Sequence, residues 1–194
     1  MVFIIRPYAG FTCRLRDSCL LHPTTQRVLI DGPYGETQPL QKYDNILFIV
    51  GGAGITVPLS YLDLLLSEDS ITTSIRIVWA VREHKFLTDA IDADFRGAVE
   101  NEKVHLNAFV TKQSEMDKDD ENLDSKLNKR LRIRNGRPNV DEEVEEAIAE
   151  AGHGSLAVVA CGPGMMADDT RRAVVTALAK GRSRVEYFEE SFNW

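Results

Sequence analysis

The chain has 194 residues, a net charge of −7, 43% hydrophobic and 27% charged residues. That is enough for one domain with a sizeable core, or a domain and a fragment of another, in the range of soluble globular proteins, and the acidic balance argues against a nucleic-acid binder, which shows a basic face. No apolar stretch reaches the roughly 18 residues of a membrane span, three cysteines without paired spacing favour a reducing compartment, and four scattered histidines give no reason to expect a metal site.

Met1 to Pro7 is too short for a signal peptide and lacks a basic n-region. Val2 to Arg6 reads as a strand ended by Pro7 and Gly10. Phe11 to Leu21 reads as a helix with Thr12 as its N-cap. Val28 to Asp31 reads as a second strand, closed by the turn Gly32-Pro-Tyr-Gly35. These first residues complete no fold by themselves.

From Asn45 a strand–helix alternation begins, the pattern of a parallel sheet with crossover helices. Ile46 to Val50 is unbroken and apolar, as in a strand buried on both faces. Gly51, Gly52 and Gly54 follow, letting the backbone turn sharply and come close to a bound group. Ile55 to Leu66 reads as a helix with Ile55, Leu59, Leu62 and Leu66 on one face, and Pro58 is tolerated in its first turn. A strand, a glycine turn and a helix start make an anion site, and the natural ligand is a pyrophosphate. A tight turn with no ligand is the alternative. The further expected strands are Ile75–Val81, Val104–Val110, Leu156–Cys161 and Arg184–Phe188, and the further helices Phe86–Ala93, Asp141–Ala151 and Met165–Lys180. Asp141–Ala151 places Val144, Ile148 and Ala151 on one face, with five glutamates elsewhere or facing solvent. The fold class is α/β: a Rossmann-like open parallel sheet of five strands, ordered 3-2-1-4-5, with helices on both faces. Residues 113–135 read as a mobile, solvated acidic insertion.

Gly51-Gly-Ala-Gly-Ile-Thr-Val-Pro58 resembles the pyridine-nucleotide motif of the ferredoxin–NADP reductase superfamily, in its ferric reductase and NADPH oxidase branch. Asp31-Gly-Pro-Tyr-Gly35, Trp79-Ala-Val-Arg-Glu83, Gly136-Arg-Pro-Asn139 and Cys161-Gly-Pro-Gly164 match in order, and the ending Glu190-Ser-Phe-Asn-Trp194 is similar to fungal ferric reductases. The resemblance implies that residues 1–44 are the end of a flavin-binding β-barrel and 45–194 an NADP-binding domain, a C-terminal piece of a transmembrane flavocytochrome whose haem helices lie elsewhere. It implies a ferric-chelate reductase in which NADPH gives hydride to FAD and single electrons pass through haem to ferric iron. Two alternatives stay open: an NADPH oxidase reducing oxygen, and a non-catalytic nucleotide-binding remnant.

By the same resemblance, Gly51, Gly52, Gly54, Ile55 and Thr56 hold the NADPH pyrophosphate with backbone N–H groups and a hydroxyl, Pro58 belongs to the same NADPH site, and Arg82 and Arg137 take the 2′-phosphate, since guanidinium binds phosphate bidentately. Glu83, directly after Arg82, is the kind of residue that favours NADH. Cys161 is expected beside the nicotinamide C4 as a packing and orienting group rather than a nucleophile, with Gly162 and Pro163 shaping the pocket. Phe192 or Trp194 would stack on the flavin and yield to nicotinamide. Gly10 and Thr12 would touch the flavin pyrophosphate, unless they form an ordinary turn and cap. The expected partners are the flavin and haem domains of the full-length protein, with this part on the cytoplasmic face of a membrane, neither inserting into it nor binding nucleic acid. The isolated chain is expected to bind NADPH without reducing ferric iron on its own.

Overall fold

The computed structural model describes residues 5, 7, 9–20, 22–29, 37–112, 130–182 and 184–190. The chain divides into two compact units, Met1–Gln38 and Pro39–Trp194. In the first, helix α1 (Phe11–Cys19) starts from Gly10, whose φ of 101° is open to glycine and strained for other residues. Gly10, not Thr12, is the N-cap. Thr12 is the second residue of the helix, and no side chain caps it. The expected strands at Val2–Arg6 and Val28–Asp31 fall partly outside the described residues, and Ile5, Val28 and Leu29 belong to no strand. The turn Asp31–Gly35 lies outside the described residues.

The second unit is built on a six-stranded sheet in which every pairing is parallel. Its strands are β1 (Asn45–Gly51), β2 (Ser74–Val81), β3 (Val104–Val110), β4 (Leu131–Asn135), β5 (Leu156–Cys161) and β6 (Val185–Glu189), in the spatial order β4-β3-β2-β1-β5-β6. The five strands expected from the sequence stand in the expected order. The sixth corrects it: β4 pairs with β3 from Leu106↔Leu131 to Val110↔Asn135, so Leu131 to Asn135 belong to the sheet and not to an insertion. Leu131 and Ile133 alternate with Arg132 and Arg134, and only Leu131 is fully covered. An edge strand needs few apolar residues, and here the neighbouring charges mask them.

Ile46 to Val50 are buried, as a strand covered on both faces requires. On one face Leu47, Ile49, Val78, Phe109 and Val158 form a core with α5 (Val140–Ala151) and α6 (Gly164–Ala179). Arg76 of β2 reaches Glu146 and Glu150 of α5, and Glu143 is buried beside Asn107. One of the five glutamates is therefore part of the packing against the sheet, not of the solvent face. On the other face Phe48 meets Tyr61 of α2 (Thr56–Leu65), their ring centroids 6.2 Å apart. The single helix expected over Phe86–Ala93 is three segments: α3 (His84–Ala90), a π turn at Ile91–Phe95 and α4 (Arg96–Glu100). Phe86 packs edge-on to Trp79 at 5.7 Å and Phe95 stacks on it at 6.3 Å.

Candidate functional site

In an open parallel sheet the binding crevice lies beyond the carboxyl ends of the strands, where the strand order reverses. Here that point lies between β1 and β5, because the chain runs outward from β1 to β4 and resumes on the other side at β5. β1 ends at Gly51 and passes through a 3-10 turn, Gly52–Ile55, into α2. Gly52 has φ 55°, a conformation costly for any residue with a β-carbon. Ile55 is fully buried and Pro58 is buried in the first turn of α2, so Ile55 offers the crevice only backbone. The Thr56 hydroxyl donates to the Ala53 carbonyl at 3.0 Å and caps no amide. The first amides of such a turn lack internal acceptors, and the dipole behind them favours an anion.

Register makes the glycines necessary. Val50 is level with Trp79 on one side and with Cys161 on the other. The turn after β1 and the Cys161–Pro163 turn after β5 therefore leave the sheet side by side. A β-carbon on Gly54 would collide with the Cys161 carbonyl oxygen and lie 3.1 Å from its Sγ. One on Gly51 would lie 2.7 Å from Pro163 Cδ, and one on Gly162 would lie 3.0 Å from Met166 Sδ and 3.1 Å from the Gly51 nitrogen. The two turns meet backbone to backbone, leaving a cradle with main-chain walls.

Further along the same sheet edge, cations follow the strand ends. Arg82 is the first residue past β2, Lys112 follows β3 and Arg137 follows β4. The Lys112 N–H donates to the Arg82 carbonyl at 3.1 Å and the Gly136 N–H to the Val110 carbonyl at 2.8 Å, carrying the ladder past the strands. Arg82 and Arg137 are exposed and have no ion pair among the described residues. Strand spacing puts the ends of β2 and β4 about 10 Å apart. Glu83 lies 4.0 Å from Lys112 Nζ, so the one carboxylate beside Arg82 in sequence is directed at the lysine.

Cys161 is 2% exposed, and burial, then the charge of Glu190, push its thiol up to about 11. At neutral pH it is a thiol, not a thiolate. Burial likewise raises the pKa of Glu190, whose N–H extends β6 to the Ala160 carbonyl at 2.9 Å. The folded thiol's pKa lies above its ordinary value of 9.0. Its contribution to stability is therefore complete below pH 9 and is lost as pH rises toward 11. Raising pH from 8 to 10.5 should remove about 2 kcal/mol more from the native protein than from Cys161→Ala. Guanidinium unfolding of both proteins at the two pH values measures this. Equal losses would mean that the thiol titrates as though exposed.

The structure thus brings Gly51, Gly52, Gly54, Ile55, Thr56, Pro58, Arg82, Arg137, Cys161, Gly162 and Pro163 to the carboxyl edge of one sheet. Phe192 and Trp194 lie outside the described residues. Gly10 and Thr12 sit at the start of α1 in the other unit. Sequence reasoning missed four residues here. By its apolar surroundings in the sequence Trp79 reads as core, yet its indole N–H donates to the Gly52 carbonyl at 2.9 Å. Lys112 was hidden at the border of a charged segment. Met166 borders the space that a β-carbon on Gly51 or Gly162 would need, and the charge of Glu190 reaches the thiol. The fold brings out all four, since the local sequence of each says nothing about what it meets.

Residues 43–175 match the family described as ferric reductase NAD binding domain. Ferric reductase transmembrane component 6 of Saccharomyces cerevisiae is 31% identical over 210 residues, covering all of this chain and 29% of that protein. Component 3 of the same yeast is 31% identical, covering 88% of this chain and 27% of that protein. The chain spans less than a third of the length of these relatives. Among solved structures, the CS-b5R domains of human Ncb5or in the NAD+ form align with a TM-score of 0.56 at 13% identity, covering 96% of this chain and 47% of that one. At that identity the likeness speaks for the fold alone.

Proposed function

The chain belongs to the ferric reductase NAD-binding domain family, and on that premise we propose that it is the NADPH-binding part of a longer membrane flavocytochrome that reduces ferric iron. Residues 1–44 would be the end of a flavin-binding barrel and 45–194 the nucleotide domain, on the cytoplasmic face of the membrane. Among the described residues no helix is long and apolar enough to cross a membrane, so in this reading the membrane and haem parts belong to the rest of the protein.

One observation carries the reading: the glycine cradle between β1 and β5 and the arginines past β2 and β4, which have no ion pair among the described residues, lie along one sheet edge. A cradle walled by main chain suits a pyrophosphate, because side chains would hold its oxygens away from the amides. The first amides of the Gly52–Ile55 turn would hold the pyrophosphate, and Arg82 and Arg137 the 2′-phosphate. Cys161, Gly162 and Pro163 would shape the nicotinamide end, where a neutral thiol packs without competing as a base or nucleophile. Bound NADPH supplies a hydride to FAD, and this chain's task is to fix the distance and keep water out. Gly10 and Thr12 would approach the flavin pyrophosphate, and Phe192 or Trp194 would cover the flavin until nicotinamide displaces it.

Calorimetric titration of the chain with NADPH and with NADH tests this. NADPH should bind more tightly, and Arg82→Ala should weaken it about ten- to hundredfold, the worth of one charge-assisted contact to phosphate. NADH affinity should stay unchanged. Binding of neither nucleotide would overturn the reading in favour of a remnant without nucleotide.

A further inference from the structure

Trp79 is the largest fully buried side chain among the described residues, yet its one polar atom is aimed at the site. The indole N–H donates to the Gly52 carbonyl at 2.9 Å. The ring cannot easily swing away, since Phe86 packs on its edge and Phe95 stacks on its face. Trp79 also lies on β2 level with Val50, the last core residue before the glycines, so the ladder fixes its height. No side-chain packing holds Gly52 itself: a β-carbon there would meet nothing within 4 Å, and its positive φ is one of several conformations open to glycine.

A trans peptide is planar, with its C=O and the following N–H pointing in opposite directions. A donor that holds the Gly52 carbonyl toward the core therefore turns the Ala53 N–H away from it. Ala53 is exposed, and as the second residue of the turn its N–H has no acceptor within the turn. We infer that Trp79 is a positioning residue which, through the Gly52 carbonyl, aims the Ala53 amide at the nucleotide pyrophosphate. The inference rests on the nucleotide-binding reading above and adds a residue to it that touches no ligand. The indole acts as a fixed strut: the flexible glycine turn is organised before the anion arrives, and less ordering is left to the moment of binding.

The test replaces Trp79 by β-(3-benzothienyl)alanine, which keeps the bicyclic shape and lacks the N–H, alongside Trp79→Phe. Two ligands are titrated, NADPH and 2′-AMP; the second carries the 2′-phosphate but no pyrophosphate. The isostere should bind NADPH about five- to tenfold more weakly, bind 2′-AMP within twofold of the unsubstituted chain, and shift the Ala53 amide resonance of the free protein. Undiminished NADPH affinity in the isostere would overturn the inference and leave the functional reading standing. Equal weakening of both ligands would also overturn it, reducing Trp79 to general packing. An unsubstituted chain that binds no NADPH would remove the functional reading itself, and this inference with it. Should Trp79→Phe fail to fold, the isostere alone decides.

Discussion

Gly54→Ala should cost about 1–3 kcal/mol of stability, the usual range for overpacking, and lower NADPH affinity by at least about a hundredfold if the turn must move by the width of a methyl group. The added carbon would collide with the Cys161 carbonyl oxygen, a backbone atom with no rotamer to escape into. Neither turn can retreat cheaply. β1 and β5 are paired up to Val50↔Cys161, directly below the contact, so separating the turns means opening the ladder. The displaced element is the one whose amides would hold the pyrophosphate. Gly164→Ala is the matched control: it starts α6, and a β-carbon there meets nothing within 4 Å. It should change stability by less than about 0.5 kcal/mol and leave binding intact. Urea unfolding and calorimetry on both variants give the answer. A Gly54→Ala protein that melts and binds like its parent would show that the contact between the turns does not shape the pocket.

Arg76→Met should destabilise the protein by about 3 kcal/mol near pH 7, the low end for breaking a buried ion pair. The Arg76 side chain is 12% exposed and serves three carboxylates of α5: Glu146 at 2.9 Å, Glu143 at 3.6 Å and Glu150. Burial opposes its charge, but Glu146 and Glu150 outweigh burial and hold it protonated. Methionine keeps much of the stem's volume, so the change removes charge more than packing. Glu143 is then left buried, with the Asn107 amide at 3.2 Å and Arg134 at 3.9 Å as its remaining partners.

The pH dependence of that loss has a definite sign. Burial, only partly offset by Asn107 and Arg76, already raises Glu143 above the ordinary 4.5. A raised acid contributes stability that is complete below the unfolded value and lost as pH rises through the folded one. Without Arg76 the folded value climbs further, so the variant's deficit should be large at pH 7.5 and shrink as pH falls toward 5. Guanidinium unfolding of both proteins at the two pH values measures it. A deficit below about 1 kcal/mol, or one equal at both pH values, would mean that Glu143 is stabilised mainly by Arg134. The network also bears on the site. It seats α5 on β2, and α5 begins directly after the Gly136–Asn139 turn that carries Arg137.

Much of this was legible in the residues. Ile46–Val50 and Leu156–Cys161 are apolar without interruption, and only a strand covered on both faces calls for that. Three glycines directly after the first run announce a turn where backbone must come close to something. Arg82 stands just past the expected strand Ile75–Val81, and Arg137 within a Gly-Arg-Pro-Asn turn. Each of these signals is local, because backbone conformation and the period of burial are written within a few residues.

What local signals could not carry was which backbone each turn would meet. β4 hides within a charged segment because two apolar residues among arginines satisfy an edge strand but leave almost no pattern. Glu143 looked like one more solvent glutamate, and it became buried because parallel pairing sets Arg76 and Asn107 on adjacent strands beneath α5. The sequence by itself determined the alternation of strands and helices, the glycine turn and the cationic positions. Only the tertiary structure decided that Gly54 must lack a β-carbon because of Cys161, and that Trp79 holds the Gly52 carbonyl. Those contacts join residues far apart in the chain, and strand order and register, fixed by burial of the whole sheet, bring them together.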